Sequence, residues 1–205
     1  MEQLSREHHV TPIFSDAAYS VDSRFGTARE HIVMAETICG TPPLHTIAQV
    51  EPVGPKKLFD ILIIAPCTGN TLAKLAHSIA DTPVTMAAKS HLRDGRPVLV
   101  AVSSNDALAG AAENIGKLLA RKHYYFVPFG QDDAAKKPTS MEYSTATPAL
   151  SDAVHTPKET QMMMNSGMMR AGMPESRLFA ARLPSNLTFS GCQPFLALMM
   201  YTSTS

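Results

Sequence analysis

The chain has 205 residues, enough for one sizeable domain with extra segments. Lys and Arg total 18, as do Asp and Glu, so the formal net charge is zero, which argues against nucleic acid or an anionic membrane as the main partner. Cys39, Cys67 and Cys192 show neither metal-site spacing nor a disulfide framework, and no apolar run of ~18 residues or basic-then-apolar leader is visible, so a cytoplasmic location is expected.

Met1 to His9 reads as the polar end of a helix. Val10 to Phe14 is a short strand candidate, and Pro12 suggests an edge or a strand end. Thr27 to Cys39 has helical spacing at Ala28, Ile32, Ala35 and Ile38, with Gly40 as its stop. Leu44 to Val50 reads as a second short strand, followed by a rigid loop from Glu51 to Pro55. Ile61 to Ala65 is an uninterrupted apolar run, the habit of a strand buried on both faces of a parallel sheet, and Pro66 is expected to end it. Cys67 to Thr71 then forms a polar turn that opens a helix with Leu72, Leu75, Ala76 and Ile79 on its apolar side.

Thr85 to His91 reads as a further helix and Asp94-Gly95 as a turn. Pro97 to Val102 is a second doubly buried strand. Ser103 to Asp106 repeats the polar turn, and a helix is expected from about Ala107 to Arg121. Tyr124 to Pro128 is the last strand, Phe129 to Asp133 its exit loop, and a short helix is expected near Thr147 to His155. Alternating strands and helices indicate an α/β fold with a parallel sheet.

The expected domain covers residues 1–156 and a tail covers 157–205. Eight of the twelve methionines fall between Met162 and Met200, charge is sparse, and no period of 2 or 3.6 persists, so this tail reads as disordered or poorly packed. A Met-rich partner surface and sequence foreign to the fold are the alternatives.

Ligands of such sheets sit beyond the carboxyl ends of the strands. Here those ends are Ser15-Asp16, Cys67–Thr71, Ser103–Asp106 and Phe129–Asp133, all small and polar. Thr68, Gly69, Asn70 and Thr71 offer hydroxyls and free N–H groups at a helix N-terminus, which suit a phosphate or carboxylate; helix capping explains the same residues. Ser103, Ser104 and Asn105 carry the same two readings. Gln131 could bond the edge of a cofactor. Arg24 is either a bidentate carboxylate clamp or a loop arginine in a surface ion pair. Lys74 and Lys89 could face an anion or solvent. Asp132 and Asp133 form an acid/base pair or a turn. Cys67 lacks a neighbouring histidine and reads as an apolar filler.

Four segments resemble the family of B-type subunits of dipicolinate synthase: Asp22–Gly26, Glu51–Lys56, Ala65–Thr71 with Asp81–Lys89, and Val127–Asp133 with Lys136–Pro138. The likeness spans residues 5–155, and the P-x-T-G-N-T turn is shared with the wider flavoprotein group that includes the cysteine decarboxylases. The resemblance implies a Rossmann-like, three-layer flavoprotein fold, FMN as cofactor, and an oxidoreductase subunit that takes part in oxidising a dihydrodipicolinate-type precursor to dipicolinate during sporulation. It implies the NAD(P)-binding A-type subunit of dipicolinate synthase as partner, a small anionic dicarboxylate as ligand, and a homo-oligomer. A non-catalytic component that binds the A-type partner is a second reading. A flavin-dependent decarboxylase is a third, although that group's catalytic histidine has no counterpart here. Family members carry another strand and a glycine- and serine-rich turn before the position of Met1, so the resemblance implies a missing mid-sheet strand whose gap, ~4.8 Å to each neighbour, must be closed by re-pairing.

Overall fold

The computed structural model describes residues 1–143 and 199–202, apart from Arg24, Pro128 and Asp132. The helix expected near Thr147 to His155 and most of the Met-rich tail lie outside the described residues.

The chain opens with helix α1 (Glu2–Glu7) and strand β1 (His9–Pro12). Helix α2 (Asp16–Ser20) follows at once, capped by Ser15 Oγ, which accepts from Ala18 N. Helix α3 (Ala28–Cys39) begins with a capping box between Thr27 and Glu30 and ends at Gly40, whose φ of 68° fits the left-handed cap. The expected strand from Leu44 to Val50 is corrected. Only Leu44 makes a bridge, to Ile13, and helix α4 (Ile47–Val50) starts directly after. The reason is a second capping box: Thr46 Oγ1 accepts from Gln49 N, and Gln49 folds back on the Thr46 N–H.

Strand β2 (Ile61–Cys67) runs through Pro66 rather than ending there, and its register against the next strand shifts between Ile64 and Cys67. Helix α5 (Gly69–Ala76), helix α6 (Pro83–Arg93) and strand β3 (Val98–Ser104) complete the central unit. Helix α7 (Ala112–Leu119) starts five residues later than expected from Ala107, because Asn105 to Ala111 form turns first. Strand β4 (Tyr124–Phe126) pairs parallel to β3. A hairpin of β5 (Phe129–Gln131) and β6 (Met141–Tyr143) then pairs antiparallel with the end of β3, through Ser103 and Ser104.

Strand β7 (Met199–Thr202) belongs to the expected tail, yet it lies in mid-sheet. It pairs antiparallel with β1 on one side and β2 on the other, so β1 and β2 run the same way with β7 between them.

Alternating strand residues divide the core between two faces. Leu62, Ile64, Val98, Val100 and Phe126 pack on α4 to α7 through Val50, Leu72, Leu75, Ala87 and Leu118. Ile63, Ala65, Leu99 and Ala101 cluster with Leu4 of α1, Val10 of β1 and Val127 on the other face. Phe14 joins Ala18 of α2 and Ala35 of α3 in a third, smaller cluster. The result is a three-layer α/β fold. Each fully buried Leu, Ile or Val contributes roughly 1.5–3 kcal/mol, so this core outweighs any single cap. Among the described residues no helix is long and apolar enough to cross a membrane.

Candidate functional site

The carboxyl ends of β2 and β3 meet. An added Cβ on Gly69, the first residue of α5, would lie 2.8 Å from Ser104 Oγ and 3.1 Å from Asp106 Oδ1. Only a glycine permits that approach without a side chain moving aside. Ser104 Oγ in turn donates to Asp106 Oδ1 at 2.6 Å. Met141 of β6 is the Cα partner of both Ser104 and Gln131, so the exit of β4 reaches the same rim. Thr68–Thr71, Ser103–Asn105 and Gln131 are therefore on one edge of the sheet.

The N-terminus of α5 differs from those of α2, α3, α4 and α6, where a Ser or Thr hydroxyl accepts from an amide three positions on. Thr68 takes the extended cap conformation, but its side chain caps nothing. Its Oγ1 lies 3.5 Å from Thr71 Oγ1 instead. Leu72 N bonds Thr68 O, so the amides of Gly69, Asn70 and Thr71 are the ones left at the helix end. Thr68 and Asn70 are exposed and Thr71 is half-buried. Two hydroxyls and a helix dipole facing solvent can hold one anionic group. At the other end of α5, Arg121 donates to Leu75 O at 3.0 Å and to Ala76 O at 2.5 Å, which fixes the helix from below.

On the β3 side, Ser103 and Ser104 are half-buried, and Asn105 is exposed with its carbonyl accepting from Thr139 Oγ1 at 2.8 Å. Both asparagines, Asn70 and Asn105, are thus at the surface of the rim. Gln131 lies on the rim but spends its amide on Pro138 O, at 2.7 Å, which ties the hairpin loop together.

Lys89 is not brought to this edge. It is exposed on α6 next to Ser90, which bonds Glu51 O and Gly54 N, and close to His91, which bonds Pro97 O just before β3 begins. That is the amino end of the strands, where Arg96 also pairs with Asp60 ahead of β2. Lys74 pairs with Asp81 at 3.0 Å. Arg24 and Asp132 lie outside the described residues. Around Arg24, Asp22 Oδ1 accepts from Ala28 N and Ser23 bonds Gly26, so the loop is tied to the first turn of α3.

Cys67 is fully buried, and that burial pushes its thiol up to about 12. A thiolate is strongly disfavoured there, as suits a filler and not a nucleophile. The residue that sequence reasoning passed over is Asp106. Its turn position was legible, but its contact with Gly69 depends on how closely α5 packs against β3.

The flavoprotein family model matches residues 1–172. The chain is 42% identical over 142 residues to the B-type subunit of dipicolinate synthase from Bacillus subtilis (strain 168), covering 69% of this chain and 71% of that protein. Among solved structures, the B-type subunit of dipicolinate synthase from Bacillus halodurans superposes with a TM-score of 0.58 at 42% identity, over 64% of this chain and 68% of the other. The chain belongs to the flavoprotein family.

Proposed function

We propose that the chain is the B-type component of a dipicolinate synthase. In this reading residues 1–156 form its cytoplasmic flavoprotein domain, and the protein takes part in oxidising a dihydrodipicolinate-type precursor to dipicolinate during sporulation, alongside the NAD(P)-binding A-type partner. The supporting observation is the uncapped N-terminus of α5, set against Ser104 and Asp106 at the carboxyl edge of a parallel pair of strands. Its donor set fits the phosphate of FMN. Thr68, Gly69, Asn70 and Thr71 would hold that group, with Ser103, Ser104, Asn105 and Gln131 along the rest of the cofactor. The flavin would supply the redox chemistry when bound. The chain's own residues bind and orient it, and Arg24 is proposed to clamp a carboxylate of the substrate.

A second reading, a non-catalytic component that binds the A-type partner, is favoured by one observation. The rim residues from Thr68 to Thr71 and from Ser103 to Asp106 include no histidine or lysine, and their one carboxylate, Asp106, already accepts from Ser104 Oγ. The visible absorption of the purified protein separates the two. A flavin spectrum, together with oxidation of the precursor that needs both components, supports the first. A colourless protein that co-purifies with its NAD(P)-binding partner and restores the partner's activity without added flavin supports the second.

A further inference from the structure

We propose that His31 is a ligand-binding residue, whose ring N–H takes one carboxylate of the anionic ligand beneath the Ser23–Gly26 turn. The inference rests on the reading that the chain handles a small dicarboxylate, and it deepens that reading by naming a further residue that grips it. Leu44 pairs in parallel with Ile13, so α3 is the return leg of a crossover and starts at the carboxyl end of β1. His31 lies at that start, and β1 and β2 run the same way, so it is on the edge of the sheet that carries Thr68. His31 is only 4% exposed. Among the described residues neither its Nδ1 nor its Nε2 has a hydrogen-bond partner.

A neutral imidazole keeps one N–H donor and one lone pair, and burying either without a partner costs stability. Packing alone does not call for those nitrogens. The ring rests on the backbone of Gly26, where an added Cβ would lie 3.2 Å from Cε1 and 3.3 Å from Nε2. A phenyl ring would fill the same place without the unmet polar atoms. The polar groups around the ring are already spent. Ser23 N donates to Gly26 O at 3.0 Å, Gly26 N donates to Ser23 O at 3.2 Å, and Phe25 N donates to Ser23 Oγ at 3.1 Å. Glu30 Oε2 accepts from Thr27 N at 2.8 Å, and Asp22 Oδ1 accepts from Ala28 N at 2.8 Å. The turn closes on itself and offers the ring nothing. Val21 and Phe25 are 51% and 41% exposed, so the core does not hold this segment down. A ligand that displaces the turn meets an unspent donor beneath it. A carboxylate suits that donor, because it only accepts and its bond is charge-assisted. Arg24, proposed above as a clamp, belongs to the same turn in sequence.

The test titrates dipicolinate into the full chain, into His31→Phe and into His31→Gln. In wild-type protein carrying isotope-labelled histidine, the ring-nitrogen resonances of His31, identified by their loss in His31→Gln, should move until the ligand saturates. His31→Phe removes two buried, unpartnered nitrogens, so it should melt no lower than wild type. It should nevertheless bind dipicolinate about tenfold or more weakly, the worth of a hydrogen bond to a charged group. His31→Gln keeps an N–H donor and should recover part of that loss, a rescue that a residue acting only by packing would not show. Wild-type affinity in His31→Phe, with His31 resonances that stay still in the wild-type titration, overturns the role of His31 and leaves the dicarboxylate reading standing. If His31→Phe does not fold, the wild-type resonances decide: movement supports the role and stillness at saturation overturns it. No binding of dipicolinate by the wild-type chain overturns the dicarboxylate reading and the role of His31 with it.

Discussion

The backbone of Gly54 lies directly against Ser90. Gly54 N donates to Ser90 Oγ at 2.9 Å, Ser90 Oγ donates to Glu51 O at 2.7 Å, and a Cβ on Gly54 would sit 2.1 Å from the Ser90 carbonyl oxygen. That oxygen belongs to the backbone of α6 and cannot rotate away. Gly54→Ala should therefore force α6 from the 51–54 turn and cost at least about 3 kcal/mol, among the larger values for a point substitution. Ser90→Ala leaves a buried N–H without its acceptor and should cost roughly 1–3 kcal/mol. Urea unfolding of both variants measures this; a Gly54→Ala protein as stable as wild type would contradict the packing.

Gly69 gives the opposite expectation. Its close neighbours, Ser104 Oγ and Asp106 Oδ1, are side-chain ends that can turn aside. Gly69→Ala also restricts the unfolded chain, worth about 0.4–1 kcal/mol, which offsets the shift. Its stability should stay within about 1 kcal/mol of wild type, while the Ser104–Asp106 pair is displaced and ligand affinity changes. Thermal melting and ligand titration on the same sample check both halves.

His91 supplies a pH dependence. The ring is fully buried and its Nε2–H donates to Pro97 O at 3.1 Å. Burial lowers its pKa from 6.5 to about 4, the Pro97 bond and nearby charges acting as smaller influences. The unfolded chain binds the proton more readily, so folding loses stability as pH falls from about 6.5 to about 4 and nothing further from this group below that. The loss should be roughly 3 kcal/mol. Unfolding free energies across that range, compared with His91→Leu, test it. The variant should show a flatter pH profile whatever its absolute stability, and an equally steep one would contradict the assignment.

Strand β7 carries a further expectation. Residue 201 pairs with Val10 on one side and Ile61 on the other. A proline there removes a backbone donor from mid-sheet, where proline is essentially not tolerated. Tyr201→Pro should abolish the hydrogen-exchange protection of the β1 and β2 amides that face β7, while the β3–β4 pair keeps its own. Undiminished protection in β1 and β2 would show that the slot is held some other way.

What was legible in the sequence was local or strongly apolar. The run from Ile61 to Ala65 and the run from Pro97 to Val102 announced the central parallel pair, and Thr27 with Gly40 bracketed α3. The Thr46–Gln49 capping box was also in plain sight, but Leu44, Ile47 and Val50 drew the reading toward a strand. Pro66 looked like a strand end because the sequence cannot show that β2 absorbs it at a register shift. Strand β7 was illegible for a different reason. Met199 to Thr202 has no period, and its place between β1 and β2 is decided by contacts more than a hundred residues away. At the rim, residue types identified Thr68 to Thr71 and Ser103 to Asn105. The Asp106–Gly69 contact, and the position of Lys89 at the far end of the sheet, depend on helix packing that residue spacing does not encode.

The binding role of the rim is tested most directly by titrating FMN into the purified chain and following flavin fluorescence, beside the Asn70→Ala/Thr71→Ala double variant. Wild-type protein is expected to bind saturably, and the variant about tenfold or more weakly, since hydrogen bonds to a charged group are worth ~1.5–3 kcal/mol, with an unchanged melting temperature. Equal affinity in the two proteins, or no binding by wild type, would contradict it.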